Sequence, residues 1–529
     1  MAKKKQTKKN NKTITILTAI AIVLFIAIAI VFGIMYFNTN KKLKDANVDY
    51  SEITLSENSI TFDLFVDGDI KYYDIYAVGN NKEIILAENI EILKENNTYT
   101  YTLTNGSWEI KVIMYNDVLG FLEIKREIII GNVVIKSEES EMAEGVMYDD
   151  FQIHFLELGN HNTGDSTYIK AGNLDILIDA GSRGSSAETI NSYVKNYCED
   201  GVLEYVIATH NHQDHIAGFA GVNGTSKTTN FKGEKVDKTG VLYYYDVETF
   251  IDFTYAEITV NKNTITVENK TQVSSDYSSG TEYGKYLAAR EYMISNGTTY
   301  YCVKDLFESN KTSFDLGNGI VMDILYNYYY FNQSSDVNNY SICTMFSYNN
   351  HHYLLTGDLE KDGEEKLAAY YDSSTPEKTL PHCDLFKAGH HGSPTSSNDC
   401  LLSKITPDMC CVCCCAGDSE YTANYNNQFP SQEFINRIAV YTDKVYVTTY
   451  YDEVEKTFKS LNGNIVVSSN GDEIGLSASN NLTKLKDSNW FNETIYVDSS
   501  GNNVPQKKSE DYYTADTAGV SAVQRRVWP

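Results

Sequence analysis

The segment THNHQDHIAG, residues 209–218, combines three imidazoles and one carboxylate within six positions. The four side chains are His210, His212, Asp214 and His215. Neutral imidazole nitrogens together with a carboxylate oxygen suit borderline divalent ions such as Zn²⁺ or Mn²⁺. Three of the chain's ten histidines fall in this one segment. We therefore expect a metal site here rather than histidines that cluster by chance.

A short apolar run leads into these histidines. Residues 202–209, VLEYVIAT, are apolar and rich in β-branched side chains, which is the pattern of a buried strand. The histidines then lie at the carboxyl end of that strand, where open α/β sheets place their sites. This part of the chain is therefore predicted to be an α/β domain.

The spacing His210-x-His212-x-Asp214-His215 resembles the signature of the metallo-β-lactamase-fold hydrolases, αββα sandwiches that hold one or two metal ions. The stretch FLELGNHNTGDSTYIKAGNLDILIDAG resembles the opening of the extracellular hydrolase domain of ComEC-type competence proteins. The later motifs NNYS, LLTGD, KAGHHGS and TSS are similar to those domains and to teichoic-acid phosphorylcholine esterases. The resemblance spans residues 151–475 and implies a metal-dependent hydrolase of ester or phosphodiester bonds.

The resemblance implies a ligand set for two divalent ions, with Zn²⁺ favoured and Mn²⁺ as the alternative. The seven residues are His210, His212, Asp214, His215, Asp358, His390 and His391. Asp358, in the LLTGD motif, is expected to bridge the two ions because a carboxylate has two oxygens to share.

One ligand of the common pattern is missing. In the superfamily a third histidine for the first ion precedes the bridging aspartate, but no histidine occurs between His215 and His351. Two substitutes are open: His390, or Asn339 together with Ser341 from the NNYS motif. The first would preserve both metal sites, and the second would weaken one.

The chemistry implied is attack by a hydroxide that the paired metals hold, with stabilisation of the charge on the reacting centre. The proton donor to the leaving group is open among Asp165, Asp214, a metal-held water and a tyrosine from residues 222–313. Ser393 and Thr395, beside the histidine pair, are candidates to bind a phosphate oxygen. The same nucleophile would serve acyl substrates, so the fold alone does not name the bond.

The amino-terminal region predicts a membrane anchor. Residues 13–37 form an uncharged apolar run, which as a helix exceeds the roughly 30 Å hydrocarbon core of a bilayer. Six lysines precede the run, in residues 1–12, and three follow it, in the linker 38–49. This bias predicts a cytoplasmic amino terminus and an extracellular remainder on a single-pass cell-membrane protein.

The exported part is predicted to contain a β-domain, a hydrolase domain and a tail. Residues 50–136 alternate with period two between Gly, Asn and Asp turns, which predicts a β-sandwich similar to bacterial Ig-like surface domains. An acidic linker, 137–150, precedes the hydrolase domain. Within it, 222–313 is expected either to lie over the active-site face or to form a separate surface subdomain. Residues 476–529 are expected to be a loosely ordered polar tail with an edge strand through FNETIYVD.

Two further sets of side chains have structural interpretations. Cys410–Cys415 contain five cysteines in a short apolar run, which predicts a buried strand of small hydrophobic side chains rather than a metal cluster. His351 and His352 are expected in an exposed turn without a metal. The remaining histidines, His154, His161 and His382, have no partner that the sequence identifies.

The excess of acidic side chains bears on which class of substrate the protein can bind. Without its first twelve residues the chain carries 38 basic against 71 acidic side chains, so its surface repels nucleic acid at long range. We expect a phosphodiesterase that acts on DNA or a cell-wall phosphodiester, and the charge disfavours DNA. The alternatives are an acyl hydrolase of lactones, thioesters or β-lactams, and a degenerate, non-catalytic surface-binding module.

Overall fold

The computed structural model describes residues 2–56, 59–79, 82–92, 97–103, 106–120, 122–135, 142–253, 255–260, 263–268, 280–372, 379–504 and 519–529. Contacts divide the chain into two compact units, residues 1–137 and 138–529. Several predicted segments lie partly outside the described residues, among them the β-sandwich, the acidic linker over 137–141, the excursion over 254, 261–262 and 269–279, and the tail over 505–518.

The first unit begins with a long helix, α1 (Ala2–Asp45). Over Leu24–Asp45 this helix is long and apolar enough to cross a membrane, and its apolar window is not buried by the rest of the protein. Phe25, for example, is 73% exposed. A surface of this kind fits a lipid environment.

Strands follow this helix. They are β1 (Asn47–Tyr50), β2 (Thr54–Ser56), β3 (Ser59–Asp67), β4 (Tyr72–Gly79), β5 (Lys82–Ile90), β6 (Asn97–Thr102), β7 (Gly106–Val118) and β8 (Leu122–Ile135). One sheet has the order β1-β3-β2 with β6 also on β3, and another has the order β5-β4-β7-β8. Phe62, Ile75 and Trp108 share one buried core, so the sheets pack face to face. The predicted strands are confirmed, and their assignment as Ig-like stays a prediction.

Arg126 on β8 joins the sheet to the end of the helix. Its guanidinium donates to the carbonyl oxygens of Leu43, Lys44 and Ala46, each at 2.9 Å. The last carbonyls of a helix lack intrahelical partners, and a cation there also interacts favourably with the helix dipole. This contact fixes the direction in which α1 leaves the β-sheet unit.

The second unit contains the remaining elements. Its strands are β9 (Met142–Glu144), β10 (Phe151–Phe155), β11 (Thr167–Ala171), β12 (Leu174–Ile178), β13 (Val202–Ile207), β14 (Asp246–Asp252), β15 (Tyr255–Val260), β16 (Asn263–Glu268), β17 (Thr299–Cys302), β18 (Ser313–Gly317), β19 (Ile320–Ile324), β20 (Thr344–Tyr348), β21 (His351–Leu355), β22 (Leu385–Lys387), β23 (Met409–Ala416), β24 (Val445–Asp452), β25 (Thr457–Ser460), β26 (Ile465–Ser469), β27 (Ile474–Ala478), β28 (Thr494–Val497) and β29 (Ser521–Gln524). Its helices are α2 (Ser186–Val194), α3 (Gln213–Ala220), α4 (Val241–Tyr244), α5 (Glu282–Ser295), α6 (Val303–Glu308), α7 (Lys361–Tyr370), α8 (Asp399–Ile405), α9 (Gln432–Ile438) and α10 (Asn489–Asn492).

Large sheets form the centre of this unit. One has the order β17-β14-β13-β12-β11-β10-β26-β27-β9, and the other has the order β18-β19-β20-β21-β22-β23-β24-β25. Side chains of both, such as Phe151 and Ile153 from the first and Phe346 and Cys411 from the second, form one buried core. The sheets therefore pack face to face, as the predicted sandwich requires.

Helices cover the outer side of the first sheet. Leu177 and Val206 from the strands share a second buried core with Ile190 of α2, Phe219 of α3 and Tyr286 of α5. Helices and strands thus form successive layers around two apolar cores, and the predicted mixed α/β architecture is confirmed.

The predicted excursion over 222–313 differs from the structure. Strands β14 and β17 continue the first sheet in parallel beyond β13, and α5 packs on that sheet. The run VLYYYDVETFIDF, residues 241–253, was predicted as one strand. Its first residues instead form helix α4, in which Val241 and Leu242 are buried, and only the later residues form β14. The described part of this segment therefore belongs largely to the domain's own sheet and helix layer.

The predicted strand through FNETIYVD is present as β28, but the described part of the tail is not the loosely ordered segment that was predicted. In its described part, Trp490 and Phe491 of α10 and the side chain of Arg526 are buried, and β28 pairs with β29. The guanidinium of Arg526 donates to the carbonyl oxygens of Gln428 and Pro430. The tail is polar overall, so its composition did not predict that these few buried side chains pack against the rest of the domain.

The cysteine-rich run is a buried strand, as predicted. All of β23 is buried, and every cysteine of the chain is a free thiol. The strand lies between β22 and β24 in the second sheet and pairs with both in parallel. Small apolar thiols fit this doubly covered position.

Candidate metal centre

Loops that follow parallel strands bring the predicted ligands together. The segment that begins at Thr209 follows β13, which is parallel to β12, and continues into the first turn of α3. Asp358 follows β21, and the pair of histidines at 390 and 391 follows β22, which is parallel to β21 and β23. Carboxyl ends of parallel strands meet at the same edge of a sheet, so the two sheets contribute opposite sides of one site.

Asp358 lies at the centre of this site. Four imidazoles direct Nε2 toward its Oδ2 atom, at 3.0 Å from His215, 3.4 Å from His391, 3.8 Å from His390 and 4.0 Å from His210. The Asp358 side chain is fully buried. This position, among imidazoles from both sheets, is the one expected of a carboxylate shared between two cations.

The buried atoms at the centre have unused lone pairs. Across the described residues, no aligned hydrogen bond reaches either oxygen of Asp358 or the Nε2 atoms of His210, His215 and His391. The 3.0 Å approach of His215 to Asp358 is close but is not aligned as a hydrogen bond. Buried polar atoms without partners are costly, and a metal ion would satisfy all of them together. The donor set therefore fits divalent metal ions.

The opposite ring nitrogen of each imidazole is held in place. Nδ1 of His215 lies 2.7 Å from Asp179 Oδ2, and Nδ1 of His390 lies 2.7 Å from Glu360 Oε1. Nδ1 of His391 donates to the carbonyl oxygen of Cys413 at 2.9 Å. These contacts fix the tautomer with the Nε2 lone pair facing the site, as metal-binding histidines require.

The backbone conformation of Asp179 directs its carboxylate toward the ligand segment. It adopts a left-handed conformation with φ of +59°, directly after β12. One carboxylate oxygen accepts the Thr209 N–H at 2.8 Å, and the other accepts the Thr209 hydroxyl at 2.7 Å. The side chain therefore ties the ligand loop and His215 to the end of the neighbouring strand.

Asp214 occupies the more open side of the centre. Its Oδ2 atom lies 3.4 Å from Nε2 of His391 and accepts a hydrogen bond of 2.7 Å from the Tyr421 hydroxyl. His212 is half-buried, and its ring centroid lies 4.8 Å from that of His210. All seven predicted ligands therefore lie in or beside the same site.

Asp165 is buried behind the ligands. Its Oδ2 lies 2.5 Å from the Lys387 ammonium, and its Oδ1 lies 3.2 Å from Nδ1 of His391. Gly164 permits this placement, since a Cβ there would come within 2.7 Å of the Asp214 carbonyl oxygen. These contacts suit a carboxylate that positions His391 better than one that exchanges protons with a substrate.

The electrostatics reflect this packing of charges. Burial lowers the pKa of His210 well below its usual value, and neighbouring His215 lowers it further, so this imidazole is neutral. Burial also opposes charge on His215, but Asp358 and Asp179 outweigh it and raise that pKa well above its usual value. Burial lowers the pKa of Lys387, yet adjacent Asp165 more than offsets this, and the pKa is raised. Protons on the ligands must leave when a metal binds.

The predicted substitutes for the missing histidine are placed differently from each other. Nε2 of His390 faces Asp358, whereas the side-chain oxygen of Asn339 accepts the Gly363 N–H at 3.2 Å. Ser341 Oγ accepts the Asp358 N–H at 3.0 Å and lies 3.4 Å from Nδ1 of His210. Of the two substitutes, His390 thus has the position of a ligand, and Ser341 supports the ligands.

The predicted phosphate-binding pair is only partly open to a ligand. Ser393 is buried, and its hydroxyl lies 2.7 Å from that of Thr395. Thr395 lines a polar cavity of about 690 Å³ together with Glu360, the partner of His390. This cavity therefore adjoins the partner of a predicted ligand.

Sequence reasoning missed Lys387, Glu360 and Tyr421. Lys387 is the first residue of the motif KAGHHGS. A lysine at the end of an apolar strand could have indicated a buried ion pair. Glu360 follows Asp358 by two residues. Tyr421, by contrast, lies far from the other site residues in the sequence, and no spacing pattern pointed to it.

Comparisons with known proteins match part of the chain to a family. Residues 160–273 match the family model described as Metallo-beta-lactamase superfamily, so this part of the chain is a domain of that superfamily, whose members are generally metal-dependent hydrolases. A stretch of 106 residues is 30% identical to Recombination protein 2 of Haemophilus influenzae, a ComEC-like protein. That match covers 20% of this chain and 11% of the relative.

A solved structure is also similar. It is a crystal structure from Thermotoga maritima, described as a candidate metallo-β-lactamase, with 13% sequence identity and a TM-score of 0.21. The match covers 40% of this chain and 79% of the Thermotoga maritima chain. The family-model match, and not this structure, bears out the predicted superfamily for residues 160–273. The ComEC-type resemblance has weak support, and the resemblance to phosphorylcholine esterases stays a prediction.

Replacing His390 tests which residue completes the first metal site. We expect His390→Ala to lower the metal content of the full-length chain by one equivalent, because it removes a nitrogen that faces Asp358. Asn339→Ala should leave the metal content unchanged, since that side chain is bound elsewhere. Elemental analysis after dialysis against Zn²⁺ measures both. Full metal content in His390→Ala would contradict the assignment.

Proposed function

We propose that this protein is a membrane-anchored, externally facing hydrolase that uses two divalent metal ions to cleave phosphodiesters. The observation that carries the proposal is the buried Asp358 carboxylate with four imidazole Nε2 atoms within 4.0 Å of one oxygen. A degenerate binding module would have little reason to keep so many inward-facing lone pairs, because each costs stability when it has no partner.

The ligands divide into two sets around Asp358. One ion would be held by His210, His212 and His390, and the other by Asp214, His215 and His391, with Asp358 common to both. When bound, such a metal pair lowers the pKa of water and neutralises charge on a phosphoryl group. Zn²⁺ is the first candidate because nitrogen donors predominate, and Mn²⁺ is the alternative.

Tyr421 is the proposed proton donor to the leaving group. Its hydroxyl donates to Asp214 Oδ2, while the residue as a whole is 50% exposed, so it faces both the centre and solvent. Burial and the adjacent Asp214 raise its pKa above the usual value, which keeps the phenol protonated. A protonated group next to the centre and open to substrate is what a departing alkoxide needs.

The segment that leads into Tyr421 is held by two side-chain contacts. Asp418 lies 2.9 Å from Nδ1 of His161, and Glu420 forms an ion pair with Arg183. These contacts join residues 418–421 to loops that precede the ligand segment. They would keep the phenol at a fixed distance from Asp214 during the reaction.

The cavity beside the centre favours a hydroxyl-rich substrate. Its walls include Asp336, Glu360 and Asp362 against one base, Lys361, and the aromatic ring of Tyr329. Such a surface offers hydrogen-bond acceptors but little attraction for a nucleic-acid backbone. A cell-wall phosphodiester is therefore preferred, and the name of the Haemophilus relative keeps DNA as the second substrate to test.

The proposed location rests on the amino-terminal helix. Over Leu24–Asp45 it is able to span a bilayer by length and composition. Six lysines before the apolar run outnumber three after it, which favours a cytoplasmic amino terminus. The hydrolase unit would then face polymers outside the cell.

Turnover of an activated phosphodiester tests the proposed reaction. We expect the metal-loaded full-length chain to hydrolyse bis-(p-nitrophenyl) phosphate, and Asp358→Ala to abolish turnover by removing the shared ligand. Asp323→Ala, a carboxylate on β19 away from these ligands, is the control and should keep full activity. Release of nitrophenolate measures the rate. Inactivity on phosphodiesters with rapid cleavage of a lactone or thioester panel would favour the acyl alternative.

Replacing Tyr421 tests the proton donor. Tyr421→Phe should lower kcat about 10²–10⁴-fold for an alkyl leaving group, which needs a proton, and little for nitrophenolate, which leaves without one. Tyr425→Phe in the same segment is the matched control. A comparison of the two leaving groups in each variant gives the result. An equal loss for both leaving groups would show that Tyr421 positions Asp214 and does not donate a proton.

A further inference from the structure

A second group of histidines and aspartates lies at the opposite edge of the second sheet. Asp384 directly precedes β22 and Asp408 directly precedes β23, so both stand at the amino ends of these parallel strands. The proposed catalytic ligands stand at the carboxyl ends. Since β22 rises about 3.3 Å per residue, its three residues separate the two groups by roughly 10 Å along the sheet.

Three side chains of this group have the spacing of metal ligands. One ligand atom each from His382, Asp384 and Asp408 all lie within 4.8 Å of one another. Nε2 of His382 lies 3.1 Å from Asp408 Oδ2. Two ligand atoms at about 2.0–2.1 Å from a tetrahedral Zn²⁺ are separated by about 3.3 Å. The distances around Asp358 in the catalytic centre, 3.0 and 3.4 Å to the nearest imidazoles, are of the same size.

The two carboxylates are buried next to each other. The Asp384 side chain is 3% exposed and that of Asp408 is fully buried, while His382 retains 15% exposure. Each carboxylate lies beside an imidazole, His351 for Asp384 and His382 for Asp408, and carboxylate oxygens with an imidazole nitrogen form a donor set that divalent cations accept. The exposed edge of His382 leaves a route for an ion to enter.

An outer shell already holds these side chains in position. Nδ1 of His382 lies 3.1 Å from the Thr406 hydroxyl, which leaves Nε2 directed at Asp408. Nδ1 of His351 lies 3.0 Å from Asp384 Oδ1, and the backbone N–H of His352 donates to Asp384 Oδ2 at 2.8 Å. Metal-binding histidines and carboxylates are normally oriented in this way by a second layer of contacts.

We propose that His382, Asp384 and Asp408 bind a divalent cation that is separate from the catalytic pair, with Zn²⁺ as the ion that best suits one imidazole and two carboxylates. His351 holds Asp384 from outside this triad. The ion ties the starts of β22 and β23 to each other, and β22 leads into the loop of the proposed catalytic histidine pair at its other end. The proposal does not depend on the reaction that the catalytic centre performs.

Metal content tests this site. After equilibration of the full-length chain with Zn²⁺ and dialysis, we expect His382→Asn to contain one equivalent less than the wild type. Phosphodiester turnover, or whatever hydrolysis the wild type shows, should persist at 25 °C. His161→Asn is the matched control, because its imidazole also contacts one carboxylate, Asp418, at 2.9 Å but has no second carboxylate in its cluster. The control should keep the wild-type metal content.

A second measurement covers the case in which His382→Asn does not fold. Wild-type crystals equilibrated with Zn²⁺, measured on both sides of the zinc absorption edge, should show an anomalous peak between His382 and Asp408 as well as peaks at the catalytic centre. No peak at the triad, or an unchanged metal content in a folded His382→Asn chain, would overturn the proposal. The triad would then be a set of ordinary imidazole–carboxylate pairs.

Discussion

The centre depends on the burial of one carboxylate, Asp358. A fully buried carboxylate is costly unless cations or donors compensate its charge, and here the compensation comes from imidazoles on both sheets. His210 and His215 follow a strand of the first sheet, whereas His390 and His391 follow a strand of the second. The ligand set therefore assembles only when the shared apolar core holds the two sheets together. Metal binding at this residue would therefore be coupled to folding.

Contacts to the outward-facing Nδ1 atoms fix the orientation of the histidine rings. Asp179, Glu360 and the Cys413 carbonyl each hold one Nδ1 atom, so the Nε2 lone pairs point inward. The buried pair of Lys387 and Asp165 balances charge behind His391. Loss of such an outer partner typically weakens metal affinity 10–100-fold. The more open side, at Asp214 and the cavity, would be the side at which the proposed substrate enters.

Much of this centre could be predicted from local patterns. The histidine segment, the aspartate of LLTGD and the histidines of KAGHHGS are short motifs with a fixed chemistry, and the buried cysteine strand followed from composition. Tyr421 could not be found in this way, since it meets Asp214 only through tertiary packing, 207 residues away. The ordered tail and the sheet extension by β14 and β17 were missed for the same reason. A few buried anchors in polar sequence decide their placement.

The proposed sharing of Asp358 between two ions can be tested directly by electron paramagnetic resonance. The full-length chain loaded with two equivalents of Mn²⁺ should give the spectrum of an exchange-coupled pair, because ions bridged by one carboxylate lie about 3.5–4 Å apart. Asp358→Ala should lose the coupled signal. A spectrum of two isolated Mn²⁺ ions in the wild-type chain would contradict the account, since it would mean that Asp358 does not join the two halves of the site.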